Sequence, residues 1–474
     1  MYVDGWAPLP KQSIMTTHTT SPSPESTYHL FWPDEKDMRR SGYASVAHVP
    51  CIFDGAWSYV GAASRYLRER ALLEWSPGRG RGAAVISNRF PTKKSLTVYG
   101  EALCNFLEWA GARGFDWRSV NYRDHIVGGY QAEMVNGYWS AAGKPLSPAT
   151  INLRVKEVCN FLQWASDNAL RVSFEVLYAY KSMSANNAKS TYGHRRIEVA
   201  VRAGAVRKNP KSLRMPTDDE LKRWHKSVLI EKGTVKALMC ELIIQTGIRR
   251  EEAVQWRVDT LPINRSDWIV QGGIAQVEIC FGTKGQKYRV NEWDEKGPSR
   301  IICVPLRLAL ALNDYLVTKW PQLRRKYVQS APSDVEKRSR IRAGESRLFL
   351  SEYSGEPISS QALYQAWVGV THLPFDGWSP HGGRHYWACK TLLIEMNRRS
   401  DQRGGIQGGA SLDWITGCAM DTLMMIIKPQ LGHISSETSE LYLVWLQRIF
   451  SLTVMQEAYA VALDELACSE VNCE

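Results

Sequence analysis

LGHISSETSELYL, residues 431–443, places Tyr442 nine positions after His433 and closes a series of four short segments with reactive side chains. The other three are QTGIRREEAVQW (residues 245–256), FGTKGQKYR (residues 281–289) and SPHGGRHYWA (residues 379–388). The candidate reactive side chains of these segments are two arginines, a lysine, two histidines and a tyrosine. Phosphoryl transfer on a phosphodiester needs a nucleophile, cations for the nonbridging oxygens and a proton donor for the leaving oxygen. The four segments therefore indicate chemistry on a phosphodiester.

The order and spacing of these segments resemble the tyrosine recombinase (phage integrase) family, which is related to the type IB topoisomerases. The resemblance covers residues 90–450 and includes the motifs TG-x-R with a later glutamate, H-x-x-R, and LGH followed by tyrosine. Its most specific element is the spacing between His433 and Tyr442. By this resemblance the catalytic residues are Arg249, Lys284, His381, Arg384, His433 and Tyr442, with Glu252 in support.

The resemblance implies a strand-cleavage mechanism that forms a 3′-phosphotyrosine. Arg249 and Arg384 would hold the scissile phosphate in bidentate fashion, a geometry that lysine does not provide. Tyr442 would attack phosphorus, and because an unperturbed tyrosine titrates near about 10, its hydroxyl must lose a proton as it attacks. His381 is the expected base. With arginines holding the phosphate, the reaction requires no metal, and we expect no cofactor.

The remaining roles also follow from the resemblance. The family's lysine lies in the β-turn after a strand, which favours Lys284 in FGTKG over Lys287 without excluding the latter. Lys284 would protonate the departing 5′ oxygen. His433 would donate a hydrogen bond to a nonbridging oxygen, and Glu252 would orient neighbouring groups.

The chain is long enough for about three domains at roughly 150 residues each. Apolar residues at helical spacing begin near Leu96, and Ser147 and Pro148 are suited to start a second amphipathic helix. Thr217 and Glu220 have the spacing of a capping box at the start of another domain. The expected divisions are an N-terminal extension (1–86), a helical core-binding domain of the SAM-like type (87–172), a basic linker (173–214) and a catalytic domain with a C-terminal helix (215–474).

The expected fold class is mainly α with a small β-sheet. Alternating residues in QVEICFGTKGQKYRV, among them Val277, Ile279 and Phe281, predict a strand, and SRIICVPL (residues 299–306) predicts its partner. The resemblance implies that the core-binding and integrase-type catalytic domains form a C-shaped clamp around duplex DNA.

Positive charge is concentrated in the linker. The whole chain carries a net charge of +11, and nine basic residues against the single acid Glu198 give residues 181–214 a charge of +8. Such a segment is typical of contacts with DNA phosphates. The residues expected to contact DNA are Lys181, Lys189, Arg195, Arg196, Arg202, Arg207, Lys208, Lys211 and Arg214.

Composition also bears on location and partners. No apolar run approaches the roughly 20 residues that span a bilayer, and the ten cysteines form no C-x-x-C pair, so we expect a cytoplasmic, nucleoid-associated protein with reduced thiols and no membrane partner. The resemblance implies double-stranded DNA as partner, a homo-oligomer that forms a tetramer in the synaptic complex, and accessory DNA-bending or directionality proteins. The last helix (residues 454–466) is expected to dock on a neighbouring subunit.

Two features depart from the family pattern. Gly382 and Gly383 fill the interior of H-x-x-R, where family members usually have an aliphatic residue before the arginine, and we expect looser packing there. The segment NRRSDQRGGIQGGASLDW (residues 397–414) resembles an inserted loop, which contacts DNA or a neighbouring subunit, or is a tolerated surface insertion.

Other interpretations remain open at this point. A type IB-like topoisomerase or hairpin-forming resolvase would share the chemistry, and a DNA-binding regulator would share the fold without cutting DNA. His381, His385 and His433 with Cys389 would suit a zinc site, although no HExxH arrangement is present. Taken alone, Arg249 and Arg250 beside two glutamates are typical of a solvated helix start.

Overall fold

A computed structural model describes residues 28–77, 90–184, 196–207, 213–285, 287–290, 295–344, 347–401, 412–432 and 441–449. The chain divides into two compact units, Met1–Pro210 and Lys211–Glu474. Helices predominate in both, and the strands form small antiparallel sheets, which confirms the predicted fold class. Within the ranges given above, no helix is both long and apolar enough to cross a membrane.

The first unit combines helices with two antiparallel strand pairs in its described part. Its elements are β1 (Tyr28–Phe31), α1 (Glu35–Arg40), β2 (Cys51–Asp54), α2 (Gly61–Ala71), α3 (Lys93–Ala112), a π-helix (Tyr122–Gln131), α4 (Ala132–Asn136), α5 (Pro148–Asp167), β3 (Tyr178–Ser184) and β4 (Arg196–Arg202).

The core of the first unit includes residues upstream of position 87. Tyr66 of α2 is fully buried, and its ring packs edge-on against Phe161 and Trp164 of α5. Its hydroxyl donates a hydrogen bond to Glu157 Oε1 at 2.5 Å. The part of the expected N-terminal extension from β1 onward is thus joined to the helical domain by a shared core, a tertiary relation that helical periodicity alone does not reveal.

Capping residues in the sequence predicted the first residues of two helices. The Ser147 side chain accepts a hydrogen bond from the Thr150 amide, and Pro148 lies in the first turn of α5. Thr217 and Glu220 form the reciprocal hydrogen bonds of a capping box in the second unit. Both predicted starts are therefore confirmed.

The segment expected as a basic linker contains a strand pair. β3 and β4 are antiparallel, with Tyr178 opposite Arg202 and Ser184 opposite Arg196. Both strands belong to the first unit. The alternating apolar residues of RIEVAVR (residues 196–202) carried this signal, but they lie within a run of charges.

The second unit begins with helices, continues with a sheet and ends with helices. Its elements are α6 (Asp218–Lys232), α7 (Thr234–Thr246), α8 (Arg250–Val254), a 3₁₀ turn (Arg265–Asp267), β5 (Ile269–Gln271), β6 (Ile274–Phe281), β7 (Tyr288–Arg289), β8 (Glu295–Pro305), α9 (Leu306–Thr318), α10 (Trp320–Gln329), α11 (Asp334–Gly344), α12 (Ser360–Val368), α13 (Pro380–Asp401), α14 (Leu412–Thr422), a π-helix (Leu423–Ile427), α15 (Lys428–Leu431) and α16 (residues 441–449).

The sheet of the second unit has the strand order β5-β6-β8-β7, and all its pairs are antiparallel. Val277 and Ile279 of β6 are buried, as the alternating pattern predicted. A larger core includes the packed rings of Trp224, Trp367 and Trp378. A separate smaller core is formed by α13, the segment 419–431 and α16.

Candidate active site

Gly247 ends α7 and directs the chain toward the first candidate arginine. Its φ is +66°, a left-handed conformation that favours glycine. A Cβ at this position would lie 2.7 Å from Leu431 Cδ2 and 2.8 Å from Trp387 Cε3. The turn is therefore packed closely against α13 and α15, and Arg249 follows it at the N-terminus of α8.

Glu252 is the centre of an ion-pair network. Its side chain has no exposed surface, and it accepts hydrogen bonds from the Arg249 amide at 2.7 Å and from Arg249 Nη1 at 2.9 Å. Arg300 on β8 binds the same carboxylate through Nη1 at 2.8 Å and Nη2 at 2.7 Å. Burial by itself would raise the pKa of Glu252, but the hydrogen bonds and charges of Arg300 and Arg249 hold that pKa below its ordinary value. Glu252 thus stays ionised and fixes Arg249.

Arg300 and Gln430 hold the segment that precedes His433. Arg300 Nε donates to the Gln430 carbonyl at 2.9 Å. The buried side chain of Gln430 accepts from the Cys303 amide at 2.7 Å and donates to the Thr246 carbonyl at 2.9 Å. These bonds join α15 to β8 and to the end of α7. Sequence reasoning missed both residues; the one available signal was an arginine within the apolar strand SRIICVPL.

Arg384 of α13 lies next to this network. Its buried guanidinium donates to the Gly247 carbonyl through Nη1 at 2.6 Å and to the Leu431 carbonyl through Nη2. Arg249 Nη2 donates to the adjacent Gly432 carbonyl at 3.2 Å. Burial, followed by the charge of Arg249, lowers the pKa of Arg384 to about 9, so its guanidinium stays protonated at neutral pH. The structure therefore brings both predicted arginines to the carbonyls of Leu431 and Gly432.

Tyr442 lies on α16 and is fully buried in the smaller core. Its Oη is 3.0 Å from His385 Nδ1, and the two rings meet edge to face with centroids 5.6 Å apart. Burial raises the pKa of Tyr442 well above its ordinary value, while the positive charges of Arg384 and Arg249 act in the opposite direction. The phenol is thus within the electrostatic influence of both arginines.

The two histidines of α13 lie one turn apart. His381 is exposed, and its ring centroid is 4.3 Å from that of His385. The expected base was His381, whereas His385 lies at hydrogen-bonding distance from the phenol in the described part of the chain. Their i, i+4 spacing was visible in the sequence, where it suggested only a metal site. Among the residues that the structure describes, no group of three or more His, Cys, Asp or Glu side chains is placed to hold a metal ion.

Lys284 lies in the turn after β6, as predicted, with an exposed side chain. The turn approaches α8 closely, because a Cβ on Gly282 would lie 2.4 Å from the Glu251 carbonyl oxygen. Lys287 is 3.8 Å from a carboxylate oxygen of Glu295. The turn carrying Lys284 is therefore adjacent to the helix that begins after Arg249. His433 lies outside the described residues.

The expected DNA-binding residues have different surroundings. Arg202 donates to Tyr122 Oη at 3.1 Å, to Gln131 Oε1 at 2.6 Å and to Asn152 Oδ1 at 3.2 Å, contacts that favour a structural role. The Arg214 guanidinium lies 4.5 Å from the Phe375 ring centroid, and Arg207 is exposed. On the backbone, Lys181 lies in β3 and Arg196 in β4. Outside the described residues are Lys189, Arg195, Lys208, Lys211, most of the loop 397–414 and the helix expected at 454–466.

Comparison with known proteins finds structural likeness. No family model and no curated protein match the chain. XerH site-specific recombinase bound to palindromic difH substrate is 16% identical, covering 77% of this chain and 81% of XerH, with a TM-score of 0.43. The Tn1549 transposon integrase in complex with circular intermediate DNA is 12% identical, with coverages of 80% and 97% and a TM-score of 0.38. A lambda integrase dimer bound to a COC′ core site is 15% identical, with coverages of 80% and 94% and a TM-score of 0.38. At these identities the likeness to the three solved structures is one of fold alone.

Proposed function

We propose that this protein is a site-specific DNA recombinase that cleaves and rejoins strands through a 3′-phosphotyrosine at Tyr442, for integration, excision or transposition of a mobile element. The observation that carries the proposal is that Arg249 and Arg384 meet at the carbonyls of Gly432 and Leu431, while Tyr442 lies in the core that includes Leu431. The three residues come from separate elements, and a phosphodiester is the substrate that two guanidinium groups and a phenol suit together.

The arginines would hold the nonbridging oxygens of the scissile phosphate. A guanidinium has five N–H donors in a planar fork, and the carbonyls of Gly247, Leu431 and Gly432 engage part of this capacity. The remaining donors are then available to phosphate. Because Glu252 and these carbonyls fix both side chains before substrate binds, little reorganisation is needed when negative charge develops on the phosphate.

Cleavage would exchange one phosphate ester for another. Oη of Tyr442 forms a bond to phosphorus and loses its proton to a base, while the bond from phosphorus to the 5′ oxygen breaks and Lys284 protonates that oxygen. Attack by a 5′ hydroxyl on the phosphotyrosine reverses these steps and rejoins a strand. In the complex, His433 would donate a hydrogen bond to a nonbridging oxygen.

Double-stranded DNA would be bound partly through basic residues of the segment 173–214, by a homo-oligomer that forms a tetramer in the synaptic complex. The exposed side chain of Arg207 supports this role within the described part of the segment. Accessory DNA-bending or directionality proteins would set the direction of recombination.

A suicide substrate tests the catalytic proposal. The duplex carries the site that the protein selects from the DNA flanking its gene, with a nick next to the cleavage position so that the 5′-hydroxyl fragment diffuses away. Wild type should form a denaturation-resistant protein–DNA adduct, and Tyr442→Phe should form none. Adduct formation by both proteins, or by neither, contradicts the proposal. Relaxation of supercoiled DNA that lacks the site would identify a topoisomerase instead.

A further inference from the structure

The contact between α13 and α16 identifies a residue to which the motifs assign no role. His385 is one position beyond Arg384, and its Nδ1 lies 3.0 Å from Oη of Tyr442. The edge-to-face rings, with centroids 5.6 Å apart, restrict how either side chain turns. A partner at hydrogen-bonding distance from the proton to be removed meets the first geometric requirement for a general base.

We propose that His385, rather than His381, is the catalytic base that accepts the phenolic proton of Tyr442. This inference rests on the proposed function. The base form would be neutral imidazole with its proton on Nε2, so that Nδ1 accepts the hydrogen bond from the phenol. As the bond from Oη to phosphorus forms, the O–H bond breaks and His385 becomes imidazolium. When a 5′ hydroxyl attacks the phosphotyrosine, the imidazolium returns the proton to the departing phenolate oxygen.

The surroundings of the phenol explain why a base in direct contact is needed. Tyr442 has no solvent-exposed surface, so bulk water is not in position to take its proton. Burial raises the pKa of the phenol, which makes loss of the proton without a partner still less favourable. The buried phenol therefore needs an acceptor within the protein.

His381 is suited to a secondary role. Its exposed ring meets the His385 ring with centroids 4.3 Å apart, on the side of α13 nearer the helix N-terminus. From this position it orients the His385 ring, and its exposure leaves it accessible to the bound phosphodiester. Loss of His381 should thus affect cleavage less than loss of His385.

The first experiment compares two asparagine variants on the same suicide duplex. Asparagine offers an amide near the place of Nδ1, so His385→Asn retains a hydrogen-bond partner but removes the basic nitrogen. We expect single-turnover adduct formation to fall about 100-fold or more in His385→Asn, the range for loss of a general base. His381→Asn should lose about tenfold, a loss smaller than that range. DNA affinity and the thermal unfolding midpoint should match wild type in both variants.

The second experiment separates a base from a residue that only positions the phenol. A 3,5-difluorotyrosine at position 442 has a more acidic phenol and depends less on a base, so it should recover much of the rate lost in His385→Asn. Free imidazole should likewise increase the rate of His385→Ala, which also provides a readout if the asparagine variant unfolds. If fluorination does not restore the rate of His385→Asn and imidazole does not restore that of His385→Ala, His385 only positions the phenol and the inference is overturned.

The outcomes also distinguish this inference from the proposed function. If wild type forms no adduct, or Tyr442→Phe forms one, the proposed function fails. If wild type forms the adduct and His385→Asn forms it at the same rate, only the role of His385 is wrong.

Discussion

At the scale of single residues, Glu252 determines the position of Arg249. Replacing it with glutamine would leave Arg249 and Arg300 facing a neutral group in a site without solvent. Removing one partner of a buried ion pair destabilises a protein by about 3–5 kcal/mol. Because glutamine keeps one side-chain oxygen as a hydrogen-bond acceptor, we expect the loss in Glu252→Gln to be near the lower end of this range. We expect urea unfolding of the second unit to show a loss of about 3 kcal/mol. Glu251→Gln, at an exposed neighbour, should change stability by less than about 0.5 kcal/mol.

The same network gives a pH dependence with a definite sign. The pKa of Glu252 is lower in the folded protein than in the unfolded chain, so its ionised form favours folding. This contribution is complete above the ordinary glutamate pKa of about 4.3 and is lost as the pH falls through the depressed value. The stability difference between wild type and Glu252→Gln should therefore be constant near neutral pH and shrink in acid. A difference that grows on acidification would contradict this assignment.

The substitution Arg384→Lys tests whether the geometry or only the charge of the second arginine matters. Lysine keeps the positive charge but lacks the planar fork that reaches both the Gly247 and the Leu431 carbonyls. We expect Arg384→Lys to slow adduct formation by about 100-fold or more, the scale for loss of a preorganised donor. Arg250→Lys is the matched control, since Arg250 stacks on Tyr364 and lies outside the network. Equal rates in the two variants would argue against a phosphate-binding role for Arg384.

The site was partly predictable at this scale. Arg249, Arg384 and Tyr442 were predicted as site residues through motif spacing, and the structure places both arginines at the adjacent carbonyls of Leu431 and Gly432. Arg300, Gln430 and His385 were missed because their roles depend on partners far away in sequence. For example, Arg300 meets Glu252 only because β8 passes beside α8. The spacing of residues along the sequence carries no information about such contacts.

At the scale of elements, the start of α13 shows why two glycines precede Arg384. The sequence suggested looser packing there, but a Cβ on Gly383 would lie 2.5 Å from Cη2 of Trp367, so the ring of Trp367 fills the space beside the helix. A Cβ on Gly382 would lie 3.0 Å from Trp378. The expectation of looseness is therefore wrong. A large residue on α12 takes the place of an aliphatic residue on α13.

This packing predicts opposite effects for two Gly→Ala substitutions. Gly383→Ala should destabilise the second unit by about 1–3 kcal/mol, because Trp367 is fully buried and has little room to move. Gly417→Ala in α14 meets no atom within 4 Å and should stabilise by about 0.5–1 kcal/mol through helix propensity. Thermal unfolding of both variants measures the contrast. Similar unfolding midpoints for the two variants would show that the Trp367 ring moves aside more easily than its burial suggests.

At the scale of the whole molecule, the excess positive charge does not have one uniform role. Arg202 and Arg207 both lie in the basic segment, yet Arg202 is held by Tyr122, Gln131 and Asn152 while Arg207 is exposed. Arg207→Ala should weaken DNA binding, reduce the slope of log affinity against log salt by about one, and leave stability unchanged. Arg202→Ala should instead destabilise the first unit. Salt titrations of binding with parallel unfolding curves test the pair, and an unchanged slope in Arg207→Ala would remove it from the interface.

The broad architecture was predictable because each unit has helices with clear apolar periodicity and local caps, as at Ser147 and Thr217. The association of α2 with α5 and the pairing of β3 with β4 were not predictable. Both depend on contacts between segments that carry no distinctive sequence signal by themselves. Tyr66, for instance, is one aromatic residue among many in the sequence. Its hydrogen bond to Glu157 exists only in the folded unit.

If the protein acts as proposed, the complete burial of Tyr442 has a consequence for when it cleaves DNA. A phosphodiester reaches the phenol only after side chains that enclose it move aside while His385 stays in contact with Oη, and such local openings occupy a small fraction of a folded population. On the proposed function, only a small fraction of the molecules is therefore able to cleave at any moment, and binding to a target duplex must increase that fraction. On the same proposal, a chain that meets chromosomal DNA at random would keep its nucleophile enclosed, which would limit stray nicks.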